Sequence, residues 1–144
     1  MKRILLCLLF VTDSVFAMTE KEAEHKYKLA EIAYKCAAYN QWALDFNEAD
    51  RLSLVGLDSL LQVSPLMLDK FKLDIEKENS KGRKFTPEQY KLLNKDFILG
   101  MIVGTIGEQQ SNTAGKDVYR DFPRSSTQDT AKNLIIENNC NFIK

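Results

Sequence analysis

Apolar residues along this chain recur every three or four positions, the period of a helix that buries one face, and strand-like alternation hardly appears. From Thr19 to about Phe46, the residues Leu29, Ile32, Cys36, Tyr39, Ala43 and Phe46 follow at such spacings and are expected to share an inward face. Glu24, Lys28, Glu31 and Lys35 fall on another face. Glu24 to Lys28 and Glu31 to Lys35 stand in the favourable order for ion pairs four apart. Thr19-x-x-Glu22 opens this helix as a capping box, each residue's side chain satisfying the other's backbone N–H.

Caps mark the later starts. Asn47-x-x-Asp50 predicts a second helix through Leu52, Val55, Leu57, Leu60 and Leu61. Ser64-Pro65 sets a capping residue before a proline suited to the first helical position, predicting a third helix striped by Leu68, Phe71 and Ile75. The polar stretch "EKENSKGRK" reads as a solvated connector turning near Gly82. Thr86-Pro87-Glu88-Gln89 starts another helix, which Tyr90, Leu93, Phe97 and Met101 carry toward Gln110. "EQQSNTAGK" reads as a break or kink before "DVYRDF". Ser126-x-x-Asp129 opens the last helix, carrying Ala131, Leu134, Ile135 and Cys140. The expected fold is all-α, a compact bundle of five to six helices.

The first residues change the domain picture. Lys2 and Arg3 precede an apolar run from Ile4 to Val11, and Val15-Phe16-Ala17 puts small residues where a signal peptidase cuts. That run is too short to cross a bilayer, which takes about 20 residues, although Asp13 is unusual before a cut site. Residues 1–17 are therefore expected to be a signal peptide and residues 18–144 a single helical domain. The alternative is an uncleaved anchor. The chain holds 20 basic and 20 acidic residues, and loss of the leader leaves it close to neutral. Such a balance offers no attraction for nucleic acid or an anionic membrane. No stable membrane insertion is expected after cleavage, and localisation is expected to be periplasmic or secreted.

Cleavage would remove Cys7 and leave Cys36 and Cys140. A pair of cysteines in an exported chain reads as a disulfide, here joining the first and last helices, because that compartment is oxidising. The alternatives are two free thiols or a metal pair. With one histidine in the chain, a closed four-ligand zinc site cannot be assembled from Cys and His. No metal or cofactor is expected.

Gly100, Gly104 and Gly107 in "GMIVGTIG" stand four and three apart, which on a helix makes a smooth groove. They match neither the dinucleotide fingerprint nor a phosphate loop. The expectation is close packing against Ala30, Ala33, Ala37 and Ala38, offsetting about 1 kcal/mol of helix propensity per glycine. The competing use is an apolar pocket near Gly100–Gly107.

Catalytic patterns are wanting. His25 lies outside any H-E-x-x-H, the acids Asp45, Glu48, Asp50, Asp58, Asp69, Asp74, Glu76 and Glu78 single out no facing pair, and no serine has a G-x-S-x-G setting. No catalytic residue is assigned, and the chain is expected not to be an enzyme. "DVYRDFPRSS" is the interface candidate: Tyr119, Arg120, Phe122 and Arg124 are of types enriched at binding hot spots. The layout is similar to small two-cysteine helical proteins exported to the periplasm, immunity proteins and phage-encoded inhibitors among them, though no motif transfers residue by residue. The leading expectation is a protein that binds another protein of the cell envelope, as an inhibitor or immunity-type factor. A small-ligand or lipid carrier is the alternative, and an enzyme with an unrecognised carboxylate site is a more distant one.

Overall fold

A computed structural model describes residues 18–82, 84–120 and 122–144; the expected signal segment lies outside them. Five α-helices and a closing 3-10 turn make up its regular structure: α1 (Glu20–Trp42), α2 (Phe46–Ser80), α3 (Pro87–Leu92), α4 (Lys95–Tyr119), α5 (Thr127–Glu137) and the turn Cys140–Phe142. No strand forms among the described residues. Three starts follow the sequence expectation closely. Thr19 and Thr86 close capping boxes with Glu22 and Gln89, and the Ser126 hydroxyl accepts the Asp129 N–H.

Elsewhere the boundaries move, each for a local reason. The expected second and third helices are one, with Pro65 inside α2. Proline lacks the N–H that would bond the Leu61 carbonyl, and the Ser64 hydroxyl donates to that carbonyl instead, at 3.0 Å. The cap of α2 is Asp45, whose carboxylate accepts the Glu48 N–H, rather than Asn47. The single helix expected from Thr86 to Gln110 divides, because the Asn94 side chain accepts the Phe97 N–H and caps a new start. From there α4 runs unbroken through "EQQSNTAGK" to Tyr119, held inward by Ala114 and Val118. Gly82 has φ +94, the one described glycine whose backbone requires glycine, and Asn79 secures that turn by accepting the Phe85 N–H and donating to Tyr90.

The helix α1 is the axis, packing against α2, α4 and α5. This explains why only part of its expected inward stripe, Cys36, Tyr39 and Ala43, is buried. A helix touched on several sides buries its small residues: Ala30, Ala33, Ala37 and Ala38 are interior with Cys36 and Tyr39, whereas Ile32 and Phe46 are exposed. Toward one end, Cys36, Tyr39, Leu52, Val118, Leu134 and Cys140 form one apolar cluster; toward the other, Ala30, Leu60, Val63, Ile98, Ile102 and Ile106 form a second. By length and composition α2 is long and apolar enough to cross a membrane, yet it supplies Leu52, Leu60 and Val63 to these clusters.

The disulfide Cys36–Cys140 is present, with Cα atoms 5.5 Å apart. It does not join α1 to the last helix. Asn139 takes the left-handed conformation that ends α5, so Cys140 stands in the 3-10 turn beyond it. Arg51 then reaches over from α2 and donates through Nη1 to the Ile143 carbonyl at 2.9 Å, fastening the last residues to the bundle.

The glycine groove is also corrected. A Cβ built on Gly100, Gly104 or Gly107 meets nothing within 4 Å, and the side chains α4 turns inward are Ile98, Ile102 and Ile106. The glycine in close contact is Gly56 of α2, where a Cβ would come within 2.8 Å of the Tyr34 ring.

Candidate protein-binding surface

The helices α1 and α4 run in the same direction, so their last residues meet at one end of the bundle. There the ring of Trp42, the final residue of α1, lies edge-on to Tyr119, the final residue of α4, with centroids 5.3 Å apart. Tyr119 in turn meets Phe122 at 6.0 Å, again edge-on. Edge-on aromatic pairs stabilise by about 0.5–1.5 kcal/mol beyond their burial, so this ladder is pre-ordered. It is nevertheless open: Tyr119 is 52 % and Phe122 59 % exposed.

The neighbouring turn extends the apolar surface. Leu44 and Phe46 are 62 % and 60 % exposed, and Gln128 at the start of α5 donates to the Ala43 carbonyl beside them. Leu44 has φ 65, in the left-handed region that favours glycine. Holding a leucine there costs about 1–2 kcal/mol. Glycine is the usual residue at this point after a helix, and the exposed leucine side chain gains little inside the chain to offset that strain.

Beneath the ladder is a polar tie. The Tyr39 hydroxyl donates to Asp117 Oδ2 at 2.6 Å, and Lys35 Nζ stands 3.0 Å from the same oxygen. Lys35 also lies over the Tyr39 ring. The Tyr39 hydrogen bond holds the Asp117 carboxyl below the usual carboxylate range, assisted by Lys35 and Arg120 against the effect of burial. Burial, with the Asp117 bond second, pushes the Tyr39 hydroxyl up. Lys35 is raised, mainly by its bond to Tyr39. The expected Glu31–Lys35 pair gives way to this arrangement, while Glu24–Lys28 forms at 2.8 Å in solvent. Tyr39 lies one turn before Trp42 and Asp117 two residues before Tyr119, so the tie sets the ladder's spacing.

The folded value of Asp117 lies below its unfolded one, so its stabilisation is present above the ordinary carboxylate range and is lost as pH falls through the lowered value. Asp117→Asn should therefore melt lower than the natural chain at neutral pH, by the equivalent of roughly 1 kcal/mol after allowing for solvent screening. The gap should begin to narrow at about pH 4 and close only below the lowered folded value. Melting curves of both proteins from neutral to acid pH check this, and a gap that persists in acid would refute it.

The four residues expected at the interface do not act alike. Tyr119 and Phe122 join the open ladder, and Arg124 is exposed beyond Pro123. Arg120 is engaged within the fold and lines a polar pocket of about 110 Å³ with Ser125, Thr130 and Glu137. Sequence reasoning missed Trp42, Leu44 and Phe46. The single tryptophan was a signal, but its position opposite Tyr119 depends on how α1 and α4 pack.

Other candidates stay apart. His25 is exposed, and several of the acids serve caps or surface pairs: Asp45 caps α2, Glu48 holds Arg51, Asp58 accepts from Gln62 and Asp74 meets Lys77. Among the described residues no three His, Cys, Asp or Glu side chains are grouped to hold a metal ion. An apolar groove of about 290 Å³ exists, but it lies between α1 and α2 at Ala23, Tyr27, Val63 and Met67, away from Gly100–Gly107. Comparison of the chain with protein-family models, with curated proteins and with solved structures finds no match.

Proposed function

We propose that this chain is an exported, non-catalytic helical domain that binds another protein of the cell envelope, in the manner of an inhibitor or immunity-type factor, through the end formed by Trp42, Leu44, Phe46, Tyr119 and Phe122. The observation that carries this reading is Leu44, a mostly exposed leucine held in a strained conformation beside an open aromatic ladder. Exposed apolar surface of this kind marks interaction sites, and strain retained at an exposed residue has its return outside the chain. The Cys36–Cys140 disulfide supports an oxidising compartment, and the proposed setting is the periplasm or the exterior, after removal of residues 1–17. The carrier alternative loses the location expected for it, since open space surrounds Gly100 and Gly104.

The test separates folding from binding. Leu44→Gly places the preferred residue in the left-handed turn, so stability should hold within about 1 kcal/mol. Combined with Phe122→Ala and Arg124→Glu, it should weaken binding to the partner recovered with residues 18–144 from cell-envelope extracts by at least about tenfold, or about 1.4 kcal/mol. Calorimetric titration of the purified pair gives the number. A triple variant that binds with full affinity would end the proposal.

A further inference from the structure

The face of α2 turned away from the bundle is apolar. This helix packs mainly against α1 and α4, and only 33 % of its most apolar 18-residue window is buried. Leu54, Leu57, Leu61, Pro65 and Leu68 recur at spacings of three and four on the side left open. Leu54 is 65 % and Leu61 39 % exposed, Pro65 is exposed, and Leu57 and Leu68 are half-buried. A contiguous apolar stripe of this kind marks an interaction site.

The stripe is symmetric about Leu61. Leu54 and Leu68 lie seven positions to either side, and Leu57 and Pro65 four. Eleven positions out stand Asp50 and Lys72, opposite in charge and in no ion pair among the described residues. A second copy laid antiparallel, Leu61 on Leu61, therefore sets Leu54 against Leu68, Leu57 against Pro65 and Asp50 against Lys72, each twice. A two-fold interface needs this self-complementarity, in which one residue meets a second and the second meets the first.

The charges fix the direction. Along the flank of the stripe, the antiparallel pairing brings Asp58, Asp69 and Glu76 opposite Gln62, Arg51 and Asn47, so no acid on this face meets an acid. With the copies parallel and in register, each of these acids would face itself, as would Asp50 and Lys72, which is unfavourable. The same acids disfavour laying this face on an anionic membrane.

We infer that this chain pairs with a second copy of itself through α2, antiparallel, with the two Leu61 side chains at the two-fold axis and Asp50 of each copy on Lys72 of the other. The stripe from Asp50 to Lys72 is about 33 Å of helix. A single helix pair of that length is a small interface, so a dissociation constant of about 10–100 µM is expected. The surface shares no residue with the aromatic ladder, and the pairing stands independently of the protein-binding reading.

Sedimentation equilibrium of residues 18–144 up to several times that concentration reads the association. Leu61→Glu, which sets two carboxylates at the axis, should weaken it by about tenfold or more while the far-ultraviolet circular dichroism stays that of the natural chain. Asp50→Lys and Lys72→Asp should each weaken it by about fivefold, and the two together should restore it, because the pair is only exchanged. That restoration separates a pairing of charges from damage to the fold. The triple variant Leu44→Gly, Phe122→Ala, Arg124→Glu should dimerise as the natural chain does. A natural chain that stays monomeric throughout, or a Leu61→Glu variant that dimerises with unchanged affinity, would overturn the inference. So would charge changes that add up rather than cancel. A monomeric chain that instead sediments with phosphatidylglycerol vesicles, and loses this with Leu61→Glu, would give the face to lipid.

Discussion

Cys140→Ser is expected to remove roughly 2–5 kcal/mol of stability, well above what a single hydrogen bond contributes. The bridge spans a sequence separation of 104 residues, and in the chain-entropy model a loop of that order is worth about 4.7 kcal/mol through restriction of the unfolded chain. Both sulfurs lie in the interior, in a cluster with Leu52, Val118 and Leu134. The substitution therefore also leaves a polar hydroxyl and an odd thiol where the chain is dry. Beyond Cys140, the remaining attachment of the chain end includes the Arg51–Ile143 bond and the packing of Ile143. Amide protection at Phe142 and Ile143 should fall toward that of a frayed terminus. Guanidinium denaturation of residues 18–144 measures the loss. Reducing the natural protein should reproduce the variant's midpoint. A midpoint insensitive to reduction, or two reactive thiols in the unreduced, denatured protein, would show that the bridge is not formed in solution.

Gly56→Ala is expected to destabilise by about 1–3 kcal/mol, while Gly104→Ala stabilises by about 1 kcal/mol. The two substitutions are chemically identical and both positions are helical, so propensity alone predicts the same gain at each. Their surroundings differ. At Gly56 the new methyl would lie 2.8 and 2.9 Å from two Tyr34 ring carbons, closer than real contacts allow, so the ring or α1 must shift. At Gly104 nothing stands within 4 Å, and the methyl only stiffens the unfolded chain and favours the helix. Thermal unfolding of the two single variants gives the signs. Adding Tyr34→Ala to Gly56→Ala should recover part of the loss relative to Tyr34→Ala alone, a positive coupling measured by the double-mutant cycle. If Gly56→Ala raises stability, the Tyr34 ring yields freely and the close packing of α1 on α2 does not depend on that glycine.

The expected groove at Gly100, Gly104 and Gly107 rested on a sound rule, that small side chains let helix backbones approach, applied to the wrong helix. The rule says which residues permit close approach but not which helix comes near. Gly56 stands alone in the sequence, with no spacing to draw attention to it, and only the position of Tyr34 reveals its use. The interface candidate shows the same division. Tyr119 and Phe122 could be chosen from residue type, but Trp42 is 77 positions from Tyr119 in sequence and joins it through the parallel packing of α1 and α4.

What the sequence by itself determined is whatever depends on neighbours within about one helical turn, together with one long-range covalent choice. The starts at Thr19, Thr86 and Ser126 are readable because a cap is a bond between a side chain and a backbone N–H three residues on. The Cys36–Cys140 pairing is readable because the expected mature segment holds no other cysteine. Tertiary structure decided the continuity of α2 through Pro65, where a buried serine replaces the missing donor, and the inward face of α1, where three neighbouring helices select alanines over a stripe of larger side chains. It also decided which exposed residues lie together at the end of the bundle. Helical periodicity gives the angle between side chains on one helix, but the direction that becomes interior depends on where the other helices lie, and that is settled only by mutual packing.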